Sequence, residues 1–231
     1  MKPKVVSLKA LKSLILLGKQ HLSRIPRLIT LNILVITLLS ALGIYARIQS
    51  KEQGLVNLFS DPFSSHYFYI GWLTGISEII WCFAIAICFF TCTLLPRFNR
   101  RQIFFLASGL LMTLLYIDDR FRLTLILSAF FGSYLKVKIT VYSIYGVLLV
   151  AYGKRFWSII SQTPYFPLLL AFFLFGFSSA ADIAPINNRG LHAMLEDGTK
   201  LIGLINLTVY FWYICYSEVK SAYSKHLNSK Q

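Results

Sequence analysis

The sequence predicts an all-α fold, a polytopic transmembrane helical bundle of about six spans with both termini cytoplasmic. Three observations predict it. Only 14% of the 231 residues are charged and 56% are hydrophobic, whereas a soluble domain of this size carries roughly a quarter charged residues. Apolar runs long enough to cross a hydrocarbon core of about 30 Å recur along the chain. Basic residues cluster in alternate connections between those runs, the pattern that loops retained in the cytoplasm show.

Taken in order, residues 1–27 form a basic arm in which Lys2, Lys4, Lys9, Lys12, Lys19, Arg24 and Arg27 interleave with Val5, Leu8, Leu11, Leu14, Ile15 and Leu17. The apolar stretch from Leu14 to Leu17 is too short for a secretory signal core, so the arm reads as a retained cytoplasmic segment, with an amphipathic helix on the membrane surface as one form and a disordered tail as the other. The first span covers residues 28–46. Residues 47–69 read as an exposed loop, because Ser60-Asp61-Pro62 and Ser64-Ser65 carry turn chemistry. The second span, 70–95, contains Glu78 and stops at Pro96; Arg97, Arg100 and Arg101 then fill a short loop.

The third span begins at Ile103 and meets Asp118-Asp119-Arg120-Phe121-Arg122 after only 15 residues. Carrying a helix straight through would centre four charges in lipid at about 2.5–3.5 kcal/mol each, so the span is expected to break there. Residues 120–135 then form a short interfacial or re-entrant piece. Lys136 and Lys138 anchor a fourth span over 139–152, closed by Lys154 and Arg155. The fifth runs from just after Pro164 to about Ala181, with Gly176, Ser178, Ser179 and Ala180 available for close helix packing. A turn-rich loop with Pro185, Asn187, Asn188 and Gly190 leads to the sixth span, 198–216, and residues 217–231 form a cytoplasmic tail. The domain division is therefore a 1–27 arm, a single helical domain over 28–216 and a 217–231 tail.

The formal charge of +14 does not point to nucleic acid, since the basic residues are scattered between apolar runs and form no stripe with stacking aromatics. They mark topology and suit anionic lipid at the cytoplasmic face; protein partners are not specified. The acidic residues have the opposite bias, for of the nine only Glu218 falls on the cytoplasmic side. Cys82, Cys88, Cys92 and Cys215 all fall within spans, where buried apolar packing is the expected role. Tyr67, Phe68, Tyr69, Trp72 and Trp157 occupy interfacial belt positions.

Helix rise sorts the intramembrane charges by depth. At 1.5 Å per residue from the cytoplasmic helix ends, Glu78 lies about 27 Å up, Asp118 about 22 Å, Asp182 about 27 Å and Lys200 about 24 Å. Ionisable groups at such depth face the bundle interior and find partners, so Glu78, Asp118, Asp119, Asp182, Glu196, Asp197 and Lys200 are expected to converge in one outer-facing layer. His192, Glu196 and Lys200 follow at i, i+4 and share a helix face, which makes His192, an imidazole beside carboxylates, a candidate proton carrier or metal ligand.

The simplest use of this layer is an interhelical ion pair between Lys200 and Asp118 or Asp119. Others are a carboxylate site for a hard cation and hydrolysis at a His-bound metal, with Asp119, His192 and Glu196 as weak ligand candidates. His66 lies in the first loop, and His21 and His226 on the opposite side. Glu78, beside Ser77, reads as a buried group bonded to a neighbouring helix. No phosphate-binding glycine loop or nucleophile elbow is present, and no cofactor is specified.

The segments Asp118-Asp119-Arg120-Phe121, Tyr142-Ser143-Ile144-Tyr145-Gly146, Leu195-Glu196-Asp197-Gly198-Thr199-Lys200-Leu201-Ile202-Gly203 and Tyr210-Phe211 together resemble a group of uncharacterised bacterial multi-pass membrane proteins. Those proteins carry Asp-Asp-x-Phe-x-x-His-Glu and Leu-Glu-Asp-Gly-x-Lys motifs. The resemblance covers residues 103–216 and implies an inner-membrane location. Where the group has His-Glu, this chain has Thr124-Leu125, which removes part of any metal or catalytic site built on that pair. A fainter similarity to seven-helix membrane hydrolases that include alkaline ceramidases rests only on Ser, Asp and His in spans, without their zinc-binding histidines. Two functional readings follow: a structural or ligand- and ion-binding cluster without enzymatic activity, or a membrane-embedded metal-dependent hydrolase or ion-coupled transporter using it.

Overall fold

The computed structural model describes residues 26–60, 70–184 and 186–228. The expectations for the basic arm up to residue 25, for residues 61–69 with His66, and for Pro185 lie outside them, as does the side chain of His226. The described residues form helices and no strand.

Nine α-helices and one π-helical turn follow one another among the described residues: α1 Pro26–Ile48, α2 Glu52–Leu58, α3 Trp72–Leu94, α4 Arg100–Phe121, α5 Leu123–Phe131, α6 Tyr134–Ile160, α7 Phe166–Ile183, α8 Arg189–Ala193, the π turn Met194–Gly198 and α9 Thr199–Asn228. Five of them, α1, α3, α4, α6 and α7, are long and apolar enough to cross a membrane, the property of a membrane protein. Their ends follow local chemistry. Pro96 lies just past α3, and Asn99 caps α4 by accepting from the Arg101 N–H at 3.2 Å.

The core lies between α3, α4, α7 and α9, where Trp81, Ala84, Cys88, Phe104, Leu204 and Tyr210 are buried. Phe104 is its aromatic hub, with ring centroids 5.2 Å from Phe105 and 5.5 Å from Phe156. Ser108 and Tyr152 share a buried hydroxyl contact of 2.5 Å. Close approach of α9 to α7 depends on Gly203, because a Cβ there would meet Leu174 Cβ at 3.2 Å and the Ala171 carbonyl oxygen at 3.3 Å. Gly176, expected to supply such contact, has nothing within 4 Å of its would-be Cβ. Helix α1 is tied to α9 by an amide pair, Asn32 Nδ2 donating to Asn206 Oδ1 at 3.0 Å and Asn206 Nδ2 to Asn32 Oδ1 at 2.7 Å.

Helix α6 touches this core mainly near its ends. Tyr152, Phe156 and Ile160 are buried at the C-terminal end and Lys138 at the N-terminal end. Between them the helix stands off from the bundle.

Several segment boundaries differ from the sequence expectations. Residues 52–58 of the expected first loop form α2, which buries Leu55. The third span does not break at Asp118; α4 continues through Asp119 and Arg120 because partners from other helices neutralise them. It stops at Arg122, whose left-handed φ of 49° separates α4 from α5. Helix α5 has no buried residue and ends at Gly132, φ 92°. Helix α6 spans 27 residues, so Lys138 is no interfacial anchor but a side chain only 4% exposed. Helix α9 runs past Tyr216 to Asn228, with Glu218 paired to Arg101. Cys82 is exposed, unlike Cys88, Cys92 and Cys215.

Candidate functional site

The stand-off of α6 leaves a cavity of about 910 Å³ between it and α3, α4, α7 and α9. Glu78 lines it from α3, Asp118 and Asp119 from α4, Asp182 from α7, Glu196 and Asp197 from the π turn, and Lys200 from α9. Of the candidate residues only His192 does not line it. At the other end the wall is apolar and aromatic, with Trp81, Leu115, Leu149, Phe172 and Phe175. Trp81 and Phe175 stack with ring centroids 5.9 Å apart.

The charges are joined in pairs across helices. Arg120 Nε lies 3.2 Å from Glu78 Oε1, so Glu78 is an ion-pair partner, while neighbouring Ser77 bonds back to the Leu73 carbonyl of its own helix at 3.1 Å. Lys200 Nζ is shared between Asp119 Oδ1 at 2.8 Å and Asp197 Oδ1 at 3.0 Å. Asp182, at the end of α7, receives Lys138 from α6 and, one turn on, the Tyr142 hydroxyl at 2.7 Å. Lys138 Nζ also lies 5.0 Å from the Tyr134 ring centroid, a cation–π contact that accompanies its burial.

Asp118 differs from the rest. No ion pair reaches it among the described residues; its neighbours are the Tyr145 hydroxyl and the Thr124 backbone N–H. Its Oδ1 is buried with no hydrogen-bond partner, and so is the Nε1–H of Trp81. These two orphaned atoms therefore both belong to side chains of the cavity wall.

The π turn accounts for the placement of His192, Glu196 and Lys200. A π turn inserts one extra residue per turn, so the expected common face is divided. His192 Nδ1 keeps Glu196 Oε2 at 3.3 Å, but Lys200 is carried round to Asp197 and Asp119. The turn's backbone carbonyls are bonded by side chains, Ser178 Oγ donating to Glu196 O at 2.8 Å and Thr199 Oγ1 to Leu195 O at 2.5 Å. Burial pushes the Glu196 carboxyl up to about 7, and the charges of Asp197 and Asp182 push the same way.

Arg120, Lys138, Tyr142 and Tyr145 were not on the sequence-derived candidate set. Lys138, Tyr142, Tyr145 and Leu149 recur at three- and four-residue spacing, a helical face that would have found three of them; no sequence signal pairs Arg120 with Glu78. Thr124 and Leu125 line the cavity. Among the described residues no three His, Cys, Asp or Glu side chains are grouped so as to hold a metal ion, and Asp119, engaged by Lys200, stands apart from the His192–Glu196 pair. What the arrangement can do is host a guest polar at one end and apolar at the other.

Comparison with known proteins gives a single assignment. No curated protein and no solved structure matches the chain. The model of a domain of unknown function, DUF8692, matches residues 28–214, so the chain belongs to that family.

Proposed function

We propose that this is a multi-pass protein of a bacterial inner membrane, with α9 as a sixth span beside the five apolar helices and both termini in the cytoplasm, and that its cavity is a binding site for a membrane amphiphile. The basic residues Arg97, Arg100 and Arg101 around the start of α4 and Lys154 and Arg155 in the last two turns of α6 support the orientation, as does their suitability for anionic lipid at that face. On this reading the cavity lies in the outer half of the bilayer, and α5, apolar and exposed, is the interfacial or re-entrant piece.

The observation that carries the binding function is the two-ended lining combined with the stand-off of α6. Val150 and Leu125 line the cavity yet are 58% and 54% exposed, so its mouth opens among lipid-facing side chains. A volume of about 910 Å³ falls in the range of roughly 300–1,000 Å³ typical of small-molecule sites. The charged layer, whose ion pairs leave out Asp118, also holds α3, α4, α6, α7 and α9 in register.

Native mass spectrometry of the protein extracted in mild detergent tests the reading. A copurifying amphiphile is expected on the wild type and absent from Gly146→Phe, whose side chain would project from open space at the cavity wall. An adduct unchanged by that substitution would count against the cavity as its seat.

A further inference from the structure

Resting on the amphiphile reading, we infer that the guest carries a positively charged amine head. Six carboxylates line the cavity against three basic side chains, Arg120, Arg122 and Lys200. Counting Lys138 behind the wall, and Glu196 as about half protonated at neutral pH, a negative excess still remains, in a chain whose formal charge is +14. The excess is localised. Lys200 serves two carboxylates at once, and Asp118 has Tyr145 and a backbone N–H but no ion-pair partner among the described residues, Lys200 acting on it only from a distance. A cationic head placed by Asp118 supplies the missing charge, and an ammonium N–H can reach Oδ1, an acceptor that no described group satisfies.

The surroundings suit the same chemistry. Tyr142 and Tyr145 line the cavity beside Asp118, and Tyr116 lines it beside Glu78; aromatic rings beside carboxylates are the setting in which ammonium groups are held by cation–π attraction. An anionic head would instead add a like charge to an already negative wall, a repulsion of the kind that excludes wrong partners. Deeper in, the chain of the guest would lie along Trp81, Phe172 and Phe175. Trp81 Nε1 and Asp118 Oδ1 are covered by neighbouring atoms, so seating the guest requires side-chain rotation at both.

The test compares three probes of equal chain length, hexadecylamine, hexadecanol and hexadecanoate, on the full-length protein in an uncharged maltoside detergent at neutral pH. Binding is read from thermal unfolding as a function of probe concentration. The amine is expected to bind about tenfold or more tightly than the other two. Asp118→Asn should lower the amine's affinity about tenfold and leave the alcohol's unchanged, while Gly146→Phe should remove binding of the amine. Should Asp118→Asn not fold, Asp197→Asn takes its place, since it leaves Lys200 with Asp119. If hexadecanol or hexadecanoate binds as tightly as the amine and Gly146→Phe abolishes that binding, the cationic head is overturned and the amphiphile site stands. If no probe binds in a manner sensitive to Gly146→Phe, both fall.

Discussion

Lys200 Nζ lies 2.8 Å from Asp119 Oδ1 although 81 residues separate them in sequence, and through this pair α9 is fastened to α4 across the cavity. Both side chains are partly shielded, 24% and 30% exposed. Removing one partner of a shielded pair strands the other charge, a loss of 3–5 kcal/mol when burial is complete and about 1–3 kcal/mol at this exposure. Lys200→Met should therefore destabilise the protein by that amount, and Asp119→Asn combined with it should recover part of the loss, Asp197 remaining without its cation. A double-mutant cycle from thermal unfolding in detergent measures the coupling; strictly additive effects would show that the contact contributes nothing.

Glu196 makes stability depend on pH. Its carboxyl is raised from 4.5 to about 7, so the folded protein holds this proton more tightly than the unfolded chain does. The resulting contribution is fully present below about pH 4.5 and is lost as pH rises through about 7, up to about 3 kcal/mol in total. Glu196→Gln, which cannot lose the proton, should be less sensitive than the wild type over that window. His192, Asp182, Asp197, Lys138 and Lys200 act on the same site, so the informative quantity is the difference between the two unfolding curves across pH.

Two helical glycines should respond in opposite directions. Gly203→Ala drives a Cβ against the Ala171 carbonyl oxygen and Leu174, and a backbone oxygen cannot move aside, so a loss of about 1–3 kcal/mol is expected. Gly176→Ala meets nothing within 4 Å and should gain up to about 1 kcal/mol from helix propensity. Melting temperatures of the two variants, measured side by side, decide the matter.

Orientation is open to a direct measurement. Single cysteines introduced at Arg97 and Lys154 in a background lacking the native four should react with a membrane-impermeant maleimide only after the membrane is permeabilised. One introduced at Asn187 should react in intact cells. Labelling of Lys154→Cys from outside would invert the proposed topology.

The α-helical class and the apolar helices were legible from composition and periodicity, because a hydrocarbon solvent leaves a backbone few other options, and helix rise, which converts residue number into height, grouped the charged residues that line the cavity. Depth is one coordinate of three. Which carboxylate each base would meet depended on helix azimuth and packing: Lys200 took Asp119 rather than Asp118, Arg120 reached Glu78, and Lys138 left its expected interfacial place for Asp182. One extra residue in the π turn sufficed to move Lys200 off the row of His192 and Glu196. The cavity was beyond sequence altogether, since it arises where α6 does not pack, and an absence of contact between helices leaves no periodic mark in either. The sequence determined which charged residues the chain must accommodate among its apolar helices; tertiary packing decided which of them pair, and left Asp118 without an ion-pair partner among the described residues.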